Sequence, residues 1–329
     1  MGRSDTWNWL RLSRSDPPGV AAKAPHAKVY RAALQQFEDL MNAAEATGYA
    51  ARPLPLFYAL SQAGQAIEAC AGQRPARNHG LDVKCGSSSP LKAFVEPREE
   101  DGRFQGVSAC VASPSLSGKT SLGSLMASVI ELSHFFVESP WPVGIEVYPR
   151  EILDGGDARG FAYHRDAVWE TYDFLFPKEV RTVAEVGQIL ARYPDAEGKW
   201  RPISTTPELL GVRAYAGRWV VRLLWNDGGK GISGVAPDFR GVYVLRPALV
   251  DGEHPPSLLM TWWLITYTIS ELARYEPERW VNALKVDSSH DAVPLERCMD
   301  TAIDVIPDLV LAGILDAARG LSKQVEALS

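Results

Sequence analysis

Two residues of this chain could catalyse a reaction without a metal ion, namely Arg74 and His79. Four residues separate them in the chain. A histidine can move a proton to or from a ribose 2′-hydroxyl, and a nearby arginine can stabilise the charge that develops on the phosphorus centre. Arg77 is a second arginine beside the same histidine. The pattern therefore predicts, as one hypothesis, a metal-independent ribonuclease with His79 as acid and base and Arg74 or Arg77 as the phosphate clamp.

The spacing of this arginine and histidine is similar to that of the motif in helical HEPN ribonucleases. In this chain, Pro75 and Gly80 place the pair in a loop rather than at the start of a helix, because neither residue suits a helix interior. An asparagine usually follows the arginine of that motif, whereas here Asn78 follows Arg77. The alternative interpretation is structural, namely a loop histidine whose side chain caps a helix end.

A corner between two predicted helices near the C-terminus supplies the second candidate. Pro277 separates the helices, because the residue before a proline avoids the α region. Four residues there are candidates to bind a ligand or to build a structural corner: Arg274, Tyr275, Glu276 and Trp280. The functional interpretation is an anion or nucleotide contact by Arg274. The structural interpretation pairs Arg274 with Glu271, three residues earlier, and packs Trp280 beneath Tyr275.

Two further patterns are incomplete, and the sequence therefore predicts neither a metal site nor a cofactor. Glu131 and His134 have the E-x-x-H spacing of carboxylate-bridged di-iron proteins, but such a site needs a second copy of the pattern. The sequence has no second copy. Residues 117–120 end like a phosphate-binding loop, but Ser113 stands where that loop needs a glycine.

The composition is that of an ordinary globular protein, with 46% apolar and 22% charged residues. The formal net charge of -6 argues against a non-specific polyanion-binding protein, which is usually basic. The four cysteines form no C-x-x-C pair, as expected for reduced thiols. The N-terminal residues lack a signal-peptide core, and the longest apolar stretch, residues 258–269, is shorter than the roughly 20 residues of a membrane helix. We therefore expect a cytoplasmic protein with no membrane partner.

Hydrophobic periodicity predicts helices towards both ends of the chain. The predicted helices span residues 28–46, 53–71, 121–138 and 182–192, and further helices begin at residues 255, 277 and 294. Runs rich in valine, tyrosine and tryptophan predict strands at residues 91–95, 106–111, 143–148, 218–225 and 241–245. Pro307 is predicted to interrupt or restart the last helix. Small residues on the second helix should let another helix approach closely: Ala59, Ala63 and Gly64.

These elements predict an α+β fold that is predominantly α, with helical N- and C-terminal segments packed together around a mixed middle region that has a small β-sheet. Residues 1–27 should be an irregular lead-in, and residues 28–139 a helical segment with an irregular or β insertion. Residues 140–253 should be a mixed α/β middle. Residues 254–329 should be a C-terminal helical segment that packs on the N-terminal helices.

Three stretches of the chain carry a resemblance to a known family. The first is residues 52–60 with 66–71, the second is residues 78–81 with 120–125, and the third is residues 270–277 with Trp280. In this order they resemble the YaaC-like protein family, and the third stretch, SELARYEP, is the most specific. The resemblance implies a mostly helical, cytoplasmic bacterial protein, and it supplies neither an activity nor a set of catalytic residues.

We therefore expect a YaaC-like cytoplasmic protein that is a non-catalytic binding or regulatory protein, with a role in nucleotide metabolism or phage defence. The absence of a complete catalytic motif and the many aromatic residues suited to an interface favour this hypothesis. A protein partner or self-association is expected. The alternative is the HEPN-type ribonuclease, which would have RNA as its partner and would require His79 and an arginine to converge in a groove.

Overall fold

The computed structural model describes residues 3–74, 76, 78–86, 89–149, 170–203, 213–215, 217–226 and 240–326. The chain divides into two compact units, one formed by residues 1–126 with 255–329 and the other by residues 127–254. Helices predominate in the first unit, and an antiparallel sheet forms the centre of the second. The predicted α+β, predominantly α fold is therefore confirmed.

The helices of the described residues are numbered in chain order. They are α1 (Arg3–Ser15), α2 (His26–Ala46), α3 (Pro53–Cys70), α4 (Arg103–Cys110), α5 (Leu122–Ser128), α6 (Ile130–Ser133), α7 (Val183–Leu190), α8 (Leu258–Tyr275), α9 (Pro277–Ala283) and α10 (Ala292–Glu326).

The strands of the described residues form two antiparallel sheets. They are β1 (Leu81–Lys84), β2 (Phe94–Pro97), β3 (Thr120–Ser121), β4 (Ile145–Pro149), β5 (Glu170–Phe176), β6 (Trp200–Pro202), β7 (Arg213–Tyr215), β8 (Arg218–Trp225) and β9 (Tyr243–Leu245). The first unit holds the sheet β1-β2-β3, and the second unit holds the sheet β6-β8-β5-β4-β9, in which β7 also pairs with β8.

Helix α8 lies at the centre of the first unit, because its apolar residues surround its whole circumference. Trp262 and Trp263 are fully buried. The buried hydroxyls of Thr266 and Thr268 donate to carbonyls one turn earlier at 2.8 and 2.7 Å, so they have partners inside the apolar core. A Cβ atom on Gly64 of α3 would lie 2.7 Å from the Trp263 ring. The predicted close approach of another helix at this glycine is confirmed.

Helix α1 corrects the prediction that residues 1–27 form an irregular lead-in. Trp7 packs on Phe37 of α2 with ring centroids 5.3 Å apart, and Leu10 is 3% exposed. Trp9, in contrast, is 57% exposed. The polar composition of this segment hides the helix from periodicity analysis, because contacts with α2 and α10 stabilise it rather than its own propensity.

Helix α4 occupies residues that the sequence predicted as a strand, 106–111. The side chain of Gln105 accepts a hydrogen bond from the Gly102 N–H at 2.9 Å, which caps the first turn. The predicted helix at residues 121–138 is also broken, because Val129 has the extended ψ angle of 123°. Tertiary packing of α4 on α3 outweighs the weak local preference for a strand.

Three prolines near the C-terminus act differently from the prediction, Pro255, Pro256 and Pro307, whereas α9 begins at Pro277 as predicted. Helix α8 begins at Leu258, after Pro255 and Pro256, and the Ser257 hydroxyl accepts from the Met260 N–H as its N-cap. Helix α10 continues through Pro307 without a break. The apolar contacts of α10 with α3 and α8 offset the hydrogen bond that a proline removes from a helix.

The second unit has a clear division between the two faces of its sheet, because side chains alternate along each strand. On one face, Phe174 of β5 lies opposite Val221 of β8 and belongs to an apolar core that includes Val186 of α7. On the other face, the fully buried Asp173 accepts two hydrogen bonds from Arg222 at 2.7 and 3.0 Å. The predicted strands at residues 143–148, 218–225 and 241–245 correspond to β4, β8 and β9 and are confirmed.

Candidate functional site

His79 lies in the loop between α3 and β1, half-buried against two aromatic rings. Its ring centroid is 5.1 Å from that of Phe57 and 5.5 Å from that of Tyr267. Its Nδ1 atom is buried and has no hydrogen-bond partner among the residues that the structure describes. The pKa of His79 is lowered from its ordinary value of 6.5, and burial is the largest cause, because the charged form is poorly solvated there. The imidazole is therefore neutral at physiological pH.

The positive charges of three arginines from different elements act on this imidazole. Arg103 is the first residue of α4, Arg98 follows β2, and Arg274 lies in the last turn of α8. After burial, the charges of Arg103, Arg274 and Arg98, in that order, also lower the pKa of His79. Arg98 is compensated by an ion pair with Asp82 at 2.6 Å. The summed positive potential suits an anionic group beside the neutral ring.

Arg274 is held by one carboxylate and two tyrosine rings. Its guanidinium lies 3.3 Å from the Glu271 carboxylate and donates a hydrogen bond to the Tyr58 hydroxyl at 3.0 Å. The guanidinium carbon is 5.5 Å from the ring centroid of Tyr58 and 5.5 Å from that of Tyr275. These rings are 41% and 67% exposed. The predicted pair of Arg274 with Glu271 is confirmed, and the surface beside it combines a cation with two exposed aromatic rings.

Glu68 of α3 faces Arg103 from the interior of the first unit. Glu68 is buried, and its Oε2 lies 3.9 Å from the Arg103 Nε, too far for a hydrogen bond. Neither atom has a hydrogen-bond partner among the described residues. Burial raises the pKa of Glu68 to about 7, against the lowering effects of the Arg103 charge and the Ala76 N–H. The first unit therefore contains, beside Arg103, a buried carboxyl group that titrates near neutral pH.

The predicted corner divides into a surface part and a buried part. Tyr275 and Glu276 line an open cavity of about 720 Å³ that also includes Arg279 and Asp291. Trp280, in contrast, is 1% exposed, and its indole N–H donates to the Ala50 carbonyl at 3.0 Å. Trp280 is thus a structural residue that fastens α9 to the segment before α3.

The two arginines nearest to His79 in sequence have different positions. Arg74 is exposed, and it is not one of the arginines whose charges lower the pKa of His79. Arg77 lies outside the described residues. The arginines that the fold does bring to the imidazole, Arg103 and Arg274, follow it by many residues in the chain.

Sequence reasoning missed four residues of this cluster: Tyr58, Glu68, Arg103 and Tyr267. Tyr58 lies inside the first resembling stretch, so the resemblance could have indicated it. Arg103 lies in a segment without helical periodicity, and no local signal connects it to Glu68. Their proximity depends on the packing of α4 against α3.

The described residues show neither a metal site nor a membrane-spanning helix. Within the described ranges, no group of three or more His, Cys, Asp and Glu side chains is arranged to hold a metal ion. Among the helices of those same ranges, none combines the length and the apolar character needed to cross a bilayer.

Comparison with known proteins identifies one family. The model of the family described as YaaC-like Protein matches residues 8–156 and 235–314, which together make up more than half of the chain. The matched ranges contain His79 and the three arginines around it. No curated protein and no solved structure shows a significant match to the chain.

Proposed function

Since the chain belongs to the YaaC-like protein family, and since residues of its three characteristic stretches meet around His79, we propose that it is a non-catalytic binding protein for a phosphate-bearing ligand. Phe57 and Tyr58 come from the first stretch, His79 from the second, and Arg274 from the third. The proposed site is the surface formed by Tyr58, His79 and Arg274.

The observation that best supports this proposal is that the positive charges of three arginines act on the neutral imidazole of His79. Arginine binds phosphate oxygens through its planar set of donors, and it stays charged at every physiological pH. The His79 Nδ1 atom has no partner within the described part of the chain. A phosphate group at this position would receive hydrogen bonds from the arginine side chains and would place a polar atom near the ring.

The exposed tyrosines favour a nucleotide over a simple anion. Tyr58 and Tyr275 flank Arg274 at equal distances of 5.5 Å. A base can stack on a tyrosine ring or on the guanidinium plane, and each stacked base contributes about 1–3 kcal/mol to binding. The net charge of -6 fits specific recognition of one such ligand better than general attraction to polyanions.

The wider role that we propose is regulatory and cytoplasmic, in nucleotide metabolism or phage defence, with a protein partner. A ligand of the nucleotide class is common to both settings. Exposed apolar side chains on α1, Trp9 at 57% and Leu12 at 60%, favour contact with a partner protein or a second copy of the chain.

The HEPN-type ribonuclease built from His79 and Arg74 is the second candidate. One observation favours it, because a neutral imidazole with an unpartnered nitrogen is suited to accept a proton from a 2′-hydroxyl. Arg74 is exposed, and its charge is not among those that act on His79. This favours the binding function over the ribonuclease, which requires the two residues to act together.

Isothermal titration calorimetry with nucleoside triphosphates, nucleoside monophosphates and a short single-stranded RNA tests the proposal. The parent protein should bind one of these ligands, and Arg274→Gln should weaken the affinity about tenfold or more, which corresponds to about 1.4 kcal/mol. Arg319→Gln is the matched control, because Arg319 is an exposed arginine on α10. It should leave the affinity unchanged.

The same RNA incubated in EDTA separates the two candidate functions. Cleavage by the parent that is lost in both His79→Ala and Arg74→Ala would replace the binding proposal by the ribonuclease. Intact RNA together with no heat of binding for any phosphate-bearing ligand would refute the binding proposal.

A further inference from the structure

Arg103 connects the interior of the first unit with the loop that carries His79. Its Nη1 donates to the Ser61 hydroxyl of α3 at 2.9 Å, and its Nη2 donates to the Ala76 carbonyl of the loop at 2.9 Å. Its side chain is 15% exposed, and the Glu68 carboxylate opposite its Nε is 2% exposed. One side chain therefore joins a buried helix, a buried acid and the start of the loop.

The backbone at the start of α4 reinforces this connection. The N–H groups of Arg103 and Phe104 donate to the carbonyls of Asn78 and His79 at 3.0 and 3.2 Å. The first N–H groups of a helix have no partner inside the helix, so the loop carbonyls satisfy donors that would otherwise be unpaired. The loop and the helix start form one hydrogen-bonded unit, and the Arg103 side chain closes it from the interior.

We infer that Arg103 is the positioning residue of the proposed site, which holds the His79 imidazole in place through the loop, from a half-buried position beside Glu68. The inference that Arg103 matters for ligand binding rests on the proposed function. The inference that it positions His79 does not.

The geometry of the guanidinium explains why an arginine is needed. Two different acceptors, Ser61 and Ala76, lie at opposite ends of the fork formed by Nη1 and Nη2. A lysine ammonium keeps the charge but offers a single donor centre, so it cannot reach both acceptors with the same geometry.

The test compares Arg103→Gln and Arg103→Lys with the exposed control Arg319→Gln. The first readout is the NMR titration of the His79 ring protons, assigned with His79→Asn. The second is hydrogen exchange of the Phe104 amide. Neither readout requires a ligand, so both remain decisive if the parent binds none of the nucleotides.

Arg103→Gln should raise the pKa of His79 towards 6.5, because it removes the first of the three arginine charges that lower it. It should also accelerate exchange of the Phe104 amide about tenfold, because the loop opens locally. Arg103→Lys should keep the His79 titration close to that of the parent while the amide still exchanges faster. In a protein that binds nucleotide, both variants should weaken the affinity.

The inference would be overturned if Arg103→Gln had the same His79 pKa and the same exchange rate of the Phe104 amide as the parent. If Arg103→Gln does not fold, Arg103→Lys decides the question. Exchange at Phe104 that is no faster than in the parent, with α10 amides as the internal reference, would then refute the positioning role.

Discussion

The Arg274 guanidinium donates a hydrogen bond to the Tyr58 hydroxyl at 3.0 Å and so ties the last turn of α8 to α3. The two residues are 216 positions apart in the sequence. Both belong to stretches on which the family resemblance depends. Their contact places a partly buried cation beside an exposed ring, and the charge of Arg274 acts on the half-buried His79.

Tyr58→Phe removes the hydroxyl acceptor and keeps the ring. It should lower the free energy of unfolding by about 0.5 kcal/mol, since the hydrogen bond is exposed to solvent. It should also weaken nucleotide affinity severalfold, because Arg274 loses one of its restraints. Tyr49→Phe is the matched control, because the Tyr49 hydroxyl donates to Asp300 and its ring lies 4.4 Å from the Arg52 guanidinium. Urea titration and calorimetry should show a similar stability loss and no change in affinity for the control; equal affinity losses would contradict a specific role for Tyr58.

Glu68 should make the stability of the first unit depend on pH. Its pKa is about 7 in the folded protein and 4.5 as an ordinary value, so the folded state binds more protons between these values. Stability from this group is therefore fully present below pH 4.5 and is lost as the pH rises through about 7. The slope is at most roughly 1.4 kcal/mol per pH unit.

Glu68→Gln should remove this contribution, and urea unfolding at several pH values between 4.5 and 7 measures it. Besides Arg103 and the Ala76 N–H, the Cys110 thiol of α4 interacts with this carboxylate, which adds to the burial that raises the thiol pKa to about 11. The exposed Glu99→Gln should keep the parent profile. Identical pH profiles for the parent and Glu68→Gln would show that the buried carboxyl does not titrate in this range.

Gly64→Ala should destabilise the protein, because the new Cβ would lie 2.7 Å from the Trp263 ring and 3.0 Å from Val107. Overpacking of this kind costs about 1–3 kcal/mol, more than the roughly 1 kcal/mol that alanine gains over glycine in a helix. Gly320→Ala in α10 is the control, since no described atom beyond its chain neighbours and its own helical turn lies within 4 Å of its Cβ position. It should leave thermal stability unchanged or slightly raised, and a Gly64→Ala protein as stable as this control would contradict the close approach of α3 and α8.

Trp280→Phe should lower stability without affecting ligand binding. The change removes the indole donor to the Ala50 carbonyl and leaves a small cavity, at a cost of about 1–3 kcal/mol. Trp9→Phe, at a ring that is 57% exposed, should be close to neutral. Denaturation curves followed by circular dichroism measure both variants. Loss of nucleotide affinity in a folded Trp280→Phe protein would show that the corner acts as a binding site rather than as structure.

Local patterns were sufficient for most of the long helices and for the strands of the second unit. The helices α2 and α3 and the strand β8 follow hydrophobic periodicity, because their buried faces repeat at the period of their own geometry. Helix α1 escaped prediction, because its stability comes from α2 and α10 rather than from its own residues. Helix α4 differs from its predicted strand for the same reason, since it is stabilised by packing on α3.

The sequence by itself was sufficient to predict the predominantly α fold and the family resemblance. It indicated His79 and Arg274 as candidate site residues. It also indicated the Arg274–Glu271 pair, because residues three apart in a helix are always neighbours. Only the tertiary structure decided which arginines face His79 and which acid faces Arg103. Such meetings depend on contacts between residues far apart in the chain, and no local period or motif encodes the distance between them.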